Sequence, residues 1–490
     1  MGTRFPIESV TLDPDSRVNL HRQIYSQLRG LIERRALASG GALPSTRELS
    51  RDLGVGRNSV IAAYDQLALE GYLQLRRGAT PLVVDFPAHG NIAKATQPVA
   101  GHSLSARGRL LQAQTYHGGQ PGVMTFHPGM PDPDSFPFNT WSKLLGRRAR
   151  LARQDLFGTY HLLGYPPLRD AIARNLAVSR GVNCTPDQIV VTNGAQSAFD
   201  LLARILLDPG DTVWMEEPGY HGARAAFLSA GAILAPLTVD GSGWLLKPPP
   251  VPPRVIFVTP SCHYPLGVTM PMEQRWNLLR IAEDANAWII EDDYDSEYRF
   301  QGQPVPALQG LNVANRVVFV GTFAKILFPA MRLGFMVLPA TVGDRIEAVL
   351  AATGQFAPLV TQAALADFMN EGHLTRHLRR TRRLYAQRRE VFAAEFDNHL
   401  GTWMRLDQTG TGIQVVARFL SPTDDRAFAA AALRSGVNVS PLSMQFFCTA
   451  PQSGLVMGFA ASDSRGQIRG FRRLRDVFAE FTAIDKSTLG

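Results

Sequence analysis

The chain has 490 residues, about three times the length of a typical domain, so two or three domains are expected. Hydrophobic residues make up 45% of the chain and charged residues 19%, which excludes a wholly disordered chain and a fibrous repeat. Its 50 basic and 42 acidic side chains leave a net charge of +8, which favours a polyanionic partner without proving one.

The cysteines Cys184, Cys262 and Cys448 lie far apart along the chain, and none belongs to a C-x-x-C pair. This spacing predicts neither a disulfide framework nor a metal site, and it favours a reducing compartment. The N-terminal residues lack the apolar segment of a secretory signal, and no uninterrupted run of 18 apolar residues predicts a membrane span. We therefore expect a cytoplasmic protein without a membrane partner.

The first predicted elements are short helices. Apolar residues recur at helical spacing from Leu20 to Leu31, and Ser45 with Glu48 forms a capping box that opens a second helix. A third helix is predicted over 57–70, followed by a short strand and a turn. Helices, a turn, a further helix and a small hairpin form the plan of a winged helix-turn-helix.

Residues 15–85 resemble the DNA-binding domain of GntR-type regulators, because the capped helix, the turn glycine and the basic hairpin occur in that order. The resemblance implies double-stranded DNA as a partner, with the third helix entering the major groove. A small three-helix packing module with ordinary surface arginines is the alternative. The hairpin lacks the family's second glycine and contains Pro81. The candidate DNA-binding residues are Ser45, Arg47, Arg57, Asn58, Ser59 and Arg77.

Residues 86–124 contain no acidic side chain and many glycines and prolines, so a linker is predicted. From 125 to 482, short β-branched runs alternate with amphipathic helical stretches. This pattern predicts a doubly wound α/β domain, with a small C-terminal subdomain over about 370–482. The predicted strands are 189–191, 212–214, 255–258, 288–290 and 317–320.

Ligands in such sheets bind beyond the carboxyl ends of the strands, and three of these positions carry candidate binding groups. Gly194 precedes a helix whose N-terminus would hold a phosphate. Asp292 follows a buried strand, where a carboxylate needs a cationic partner such as a protonated ring nitrogen. Lys325 is one of five lysines in the chain, and it stands in a largely apolar stretch as a candidate Schiff-base nucleophile.

A phosphate, a ring nitrogen and an aldehyde are the three binding groups of pyridoxal 5′-phosphate. Residues from about 125 to 480 resemble a fold-type I aminotransferase, because Asp292-x-Tyr294, Lys325 and Arg332 match the cofactor site of that fold. With the GntR-type head, nearly the whole chain resembles the MocR family of transcriptional regulators. The resemblance implies that Lys325 forms the internal aldimine, that Asp292 pairs with the pyridinium nitrogen and that Tyr294 binds the phenolic oxygen. It further implies that Ala195, Gln196 and Arg332 hold the phosphate and that Tyr220 stacks on the ring.

The sequence departs from the family at positions that bear on function. Cys262 replaces a histidine, and whether His263 takes over its role stays open. In aminotransferases, an arginine near the position of Val456 binds a substrate carboxylate, and this chain has no arginine there. Some family members carry a second arginine two residues after the stacking tyrosine, where this chain has Gly222. Arg224 is nearby but does not align with that second position.

We expect a regulator whose bound cofactor senses an amino compound or the vitamin itself. A working aminotransferase with a DNA-binding head and a repressor whose large domain only dimerises are the alternatives. The resemblance also implies a homodimer with exchanged heads.

Overall fold

The computed structural model describes residues 10–16, 18–76, 79–84, 104–114, 122–151, 156–158, 160–303, 305–311, 315–407 and 409–488. The chain divides into two compact units, Met1–Ser103 and Leu104–Gly490. Arg77, a candidate DNA contact, lies outside the described residues. None of the helices in the described ranges has an apolar stretch long enough to cross a membrane.

The small unit contains three helices and a two-stranded antiparallel hairpin in which Leu73 pairs with Val83. The Ser45 hydroxyl accepts a hydrogen bond from the Glu48 backbone amide, and the Glu48 carboxylate accepts one from the Ser45 backbone amide. The predicted capping box is therefore present. The helices bury one apolar core, in which the Tyr64 hydroxyl donates to the Pro44 carbonyl at 2.9 Å. The elements are α1 (Leu20–Glu33), α2 (Thr46–Asp52), α3 (Arg57–Leu69), β1 (Leu73–Gln74) and β2 (Leu82–Val83).

An eight-stranded sheet forms the centre of the large unit, with the order β3-β10-β9-β8-β7-β4-β5-β6. Its central strands are parallel, whereas β10 is antiparallel to both β3 and β9 and β6 is antiparallel to β5. The strands are β3 (Ile189–Thr192), β4 (Thr212–Glu217), β5 (Ile233–Asp240), β6 (Gly243–Trp244), β7 (Val255–Val258), β8 (Trp288–Asp293), β9 (Val317–Thr322) and β10 (Gly334–Val337).

Helices cover this sheet, and β3, β4 and β7 are buried along their whole length, which is why each appears in the sequence as a short apolar run. The observed β8 continues through Asp292 and Asp293, which we predicted to follow the strand. The helices are α5 (Phe138–Leu151), α6 (Pro166–Arg180), α7 (Ala195–Leu206), α8 (His221–Ser229), α9 (Met272–Asp284), α10 (Leu308–Leu311), α11 (Ala340–Thr353) and α12 (Leu359–Asn370).

The C-terminal part of the large unit is an antiparallel four-stranded sheet in the order β11-β12-β14-β13, packed with long helices. The first of these helices carries an arginine-rich run, residues 373–383. These elements are α13 (His373–Leu400), β11 (Met404–Leu406), β12 (Gln414–Phe419), α14 (Asp425–Arg434), β13 (Ser440–Pro441), β14 (Gly454–Gly458) and α15 (Ser464–Thr488).

The predicted linker, 86–124, is not uniformly irregular. Its residues Ala106–Ala113 form a helix, α4, which begins at the Ser105 cap and packs against α8 of the large unit. The side chain of Gln114 accepts a hydrogen bond from Arg224 Nε at 3.0 Å. Leu104–Gln114 therefore belongs structurally to the large unit, although it falls within the stretch that we predicted to be a linker.

Candidate functional site

A helix N-terminus backed by an arginine lies at the carboxyl end of β3. Gly194 adopts a φ of 84° and leads directly into α7. A Cβ built on Gly194 would lie 3.8 Å from Arg332 Cζ, and Arg332 Nη2 donates to the Asn193 carbonyl at 3.2 Å. The first amides of a helix have no partner within it, so this turn presents amides and a guanidinium to an anion.

Gln196 and Tyr220 border the same helix N-terminus. Gln196 Nε2 donates to the Gly222 carbonyl at 2.8 Å. A Cβ on Gly222 would overlap Gln196 Oε1 and lie 2.6 Å from Tyr220 Cε1. There is consequently no room for a side chain at Gly222 in this arrangement, and the Tyr220 ring lies near Gln196, the second residue of α7.

Asp292 is a buried carboxylate with an unused oxygen. Its Oδ1 has no hydrogen-bond partner among the described residues, whereas the neighbouring Asp293 is paired with Arg180 at 2.7 Å. Burial, followed by the charges of Asp293 and Glu216, raises the pKa of Asp292 well above its usual value. A cation placed beside Asp292 would remove this penalty.

Lys325 follows β9 and is partly buried. Desolvation lowers the pKa of the Lys325 ammonium, and the nearby carboxylates of Asp295 and Asp292 oppose that shift. A lysine with a lowered pKa is more often the free amine that attacks a carbonyl. The structure thus brings Lys325 and Asp292 together, although 32 residues separate them in the chain.

Asp295 is a site residue that our sequence analysis did not single out. It is completely buried, its Oδ2 accepts the Ile413 amide at 3.2 Å, and the Cys262 thiol donates to its carboxylate. Burial raises the pKa of Asp295 to about 7. The sequence signal was present but ambiguous, because five of the seven residues from 291 to 297 are acidic.

The question left open at Cys262 and His263 is answered by their contacts. The Tyr294 hydroxyl donates to Cys262 Sγ at 3.6 Å, so Cys262 faces the site. His263 packs on Trp244 with ring centroids 5.3 Å apart and lies 3.7 Å from Glu216. Burial lowers the pKa of His263 to about 3, and this neutral side chain does not take the place of the family's histidine.

Arg224 does not substitute for the missing carboxylate-binding arginines. Its guanidinium donates to the backbone carbonyls of Phe446 and Met444, at 3.2 and 3.3 Å, and to Gln114 of the linker segment. Val456, at the position expected for the other arginine, is buried within β14. Arg224 therefore has a structural role between α8, the linker segment and the loop before β14.

In the small unit, the candidate DNA contacts surround the beginnings of α2 and α3. Arg47, Arg57 and Asn58 are exposed, whereas Ser59 is partly buried. Arg57 Nε donates to Thr46 Oγ1 at 3.4 Å, which places the two helix starts next to each other. Two adjacent helix N-termini with exposed arginines form a surface suited to phosphate and base contacts.

The chemistry of the large-unit site fits pyridoxal phosphate. The Gly194 turn with Arg332 would hold the phosphate, and the unused oxygen of Asp292 would meet the ring nitrogen. The tyrosine rings adjoin one another, with centroids 5.4 Å apart for Tyr220 and Tyr264. Over the described part of the chain, no cluster of side chains suits a metal ion.

Comparison with known proteins identifies both units. Residues 130–455 match the family of class I and II aminotransferases, and residues 20–83 match the bacterial regulatory proteins of the gntR family. The aminotransferase LysN of Thermus thermophilus, solved with N-(5′-phosphopyridoxyl)-L-leucine, has a TM-score of 0.71 at 24% identity, covering 78% of this chain and 98% of LysN. Fold and site together define a winged helix-turn-helix regulator with a fold-type I aminotransferase-like domain.

Full-length relatives specify the family. The probable rhizopine catabolism regulatory protein MocR of Rhizobium meliloti is 49% identical over 96% of both chains. The pyridoxine biosynthesis regulator PdxR of Corynebacterium glutamicum is 32% identical over 93% of this chain and 95% of its own. The chain belongs to the MocR subfamily of GntR-type transcriptional regulators.

Proposed function

We propose that this regulator binds pyridoxal phosphate at Lys325 and uses it to detect a small amine, or the vitamin itself, thereby changing its affinity for an operator. The observation that carries the proposal is the position of Lys325 beside Asp292 and Asp295. A domain used only for dimerisation has no need of a lysine beside two carboxylates, since their desolvation is costly.

When bound, pyridoxal phosphate supplies an aldehyde that condenses with primary amines. The chain's own groups would orient it: Arg332 and the α7 amides at the phosphate, Asp292 at the ring nitrogen and Tyr294 at the phenolic oxygen. Tyr220 would lie against the ring.

The response would pass to DNA through two large-unit states that differ in how they hold the linker. The contact of Arg224 with Gln114 supports this route, because α8 begins directly after Tyr220. We further propose a homodimer with exchanged heads, which would read two half-sites of an operator. The relatives do not indicate which effector this chain binds, because the name of MocR refers to rhizopine catabolism and that of PdxR to pyridoxine biosynthesis.

The test compares the purified full-length protein with Lys325→Ala and with the control Lys247→Ala, an exposed lysine. With pyridoxal phosphate added, we expect a visible absorption band from covalently held cofactor in the wild type and in Lys247→Ala, and its loss in Lys325→Ala. Operator affinity, measured by fluorescence anisotropy, should respond to the cofactor only in the wild type and in Lys247→Ala. The same spectrum in all three proteins would refute the cofactor assignment.

A working aminotransferase is the competing function. Against it stands the engagement of Arg224 with backbone carbonyls, which leaves a substrate carboxylate without that cation. Turnover of alanine with 2-oxoglutarate, at a rate above that of free pyridoxal phosphate and abolished by Lys325→Ala, would establish that alternative instead.

A further inference from the structure

A wall of the large-unit site faces the amine of Lys325. A Cβ on Gly129 would lie 2.6 Å from Lys325 Nζ and 3.3 Å from Gln414 Oε1. The amide of Gln414, the first residue of β12, is therefore a close neighbour of the reactive nitrogen. Gly129 adopts a φ of 61°, and its missing side chain is what allows this close approach.

The same wall carries two buried polar atoms without partners. Gln414 Nε2, a donor, and Asp295 Oδ1, an acceptor, have no hydrogen-bond partner in the described structure. Both side chains are at least nine-tenths buried, with relative exposures of 3% and 0%. Asp295 is held by the amide of Ile413, the residue before Gln414, so one backbone segment positions both groups.

An unpaired buried donor and acceptor are rare in folded proteins, because each carries a desolvation cost. A ligand that supplies the missing partners recovers this free energy. A carboxylate could accept from Gln414, but it has no proton to donate to Asp295 Oδ1. A hydroxyl group donates and accepts at the same oxygen, so it satisfies both groups.

Arginines on the adjoining segments do not change this preference for a hydroxyl over a carboxylate. Arg299 donates to the Ser261 carbonyl and to Thr269 Oγ1, at 3.3 and 2.9 Å, and Arg389 donates to the Thr409 carbonyl. Arg224 is held by backbone carbonyls and Gln114. Each of these guanidinium groups already has partners within the described part of the fold.

We infer that Gln414 and Asp295 are specificity residues that select a hydroxylated primary amine and disfavour an amino acid. One hydroxyl, or two on neighbouring carbons, would bind Asp295 Oδ1 and Gln414 Nε2 while the amine is directed to the position of Lys325 Nζ. This inference rests on the proposed function, since it concerns the ligand of the same site.

The first experiment uses wild-type protein loaded with pyridoxal phosphate and three amines of similar size. Isopropylamine, alaninol and alanine differ by carrying a methyl, a hydroxymethyl or a carboxylate group. Dissociation constants from calorimetry should show alaninol binding about 10-fold or more tightly than isopropylamine, as expected for one hydrogen bond to an otherwise unsatisfied buried group. Equal affinities, or tightest binding of alanine, would overturn the inference.

Variants then assign the preference to the named side chains. Gln414→Leu and Asp295→Asn should each reduce the ratio of the alaninol affinity to the isopropylamine affinity. Gln467→Leu serves as the matched control, because Gln467 is a buried glutamine of α15 whose amide donates to the Phe459 carbonyl. Thermal unfolding identifies any variant that fails to fold, in which case the wild-type series alone decides. A preference unchanged in both folded variants would refute the assignment.

The two proposals fail in different ways. If the visible spectrum with pyridoxal phosphate is the same in Lys325→Ala as in the wild type, the proposed function fails. If the lysine-dependent band forms but the three amines bind without a preference for the hydroxyl, the cofactor assignment stands and only the specificity inference fails.

Discussion

Arg332 shows how closely a single side chain of this site is constrained. The residue adopts a φ of 50°, in the left-handed region, directly after the turn Pro329–Met331. Its guanidinium lies against Gly194, and a Cβ at Gly334 would come within 3.0 Å of the Ala195 nitrogen. A strained backbone held between two glycines indicates that the direction of this arginine is specified rather than incidental.

Arg332→Gln should therefore weaken pyridoxal phosphate binding by about 10- to 100-fold, the range expected when a charge-assisted contact worth about 1.5–3 kcal/mol is lost. Equilibrium dialysis with the full-length protein measures this change. Arg345→Gln, at an exposed arginine of α11, is the control and should bind as the wild type does. Unaltered affinity in Arg332→Gln would show that the phosphate binds elsewhere.

At the scale of elements, α2 and α3 of the small unit were predictable because their signals are local. The capping box spans four residues, and the turn glycine Gly54 adopts a φ of 64° where the sequence predicted the end of α2. The linker helix α4 was not predicted. Most of this helix is exposed, and none of its residues is fully buried. Its position depends on contact with α8 rather than on an apolar stripe of its own.

Arg57→Gln, at the first residue of α3, should weaken operator binding by about 10-fold or more. If Arg57 contacts a phosphate instead of a base, binding should fall evenly across operator sequences and the salt dependence should decrease by about one unit. Fluorescence anisotropy at several salt concentrations distinguishes these cases. Arg405→Gln, an exposed arginine of β11, should bind DNA normally, and an identical isotherm for Arg57→Gln would exclude this residue from the interface.

At the scale of the whole molecule, buried acids couple the stability of the large unit to pH. Glu216 is completely buried and accepts hydrogen bonds from Trp244 Nε1 and the Thr259 amide at 2.6 and 2.8 Å. Burial raises the pKa of Glu216 to about 7. Because the folded state binds this proton more tightly than the unfolded state, the contribution to stability is complete below pH 4.5 and is lost as the pH rises through 7.

Glu216→Gln should flatten this pH dependence, since its side-chain amide stays neutral over the whole pH range. Between pH 5 and 8 the wild-type Tm should fall further than that of the variant, with each unit of pKa difference corresponding to about 1.4 kcal/mol. Differential scanning calorimetry makes the comparison, with Glu283→Gln at an exposed glutamate of α9 as control. Parallel curves of Tm against pH for all three proteins would contradict the assignment of this pH dependence to Glu216.

The sequence by itself predicted the two-part organisation, five strands of the central sheet and the candidate group of Asp292, Lys325 and Arg332, because these depend on local patterns and on the rule that ligands bind beyond the carboxyl ends of parallel strands. Only the tertiary structure decided which side chains complete the site. Gln414 is 89 positions after Lys325 and reaches it through the packing of β12 against Gly129. Likewise, the engagement of Arg224 depends on carbonyls more than 200 positions away. Such contacts arise from chain folding over long separations and leave no periodic signal in the sequence.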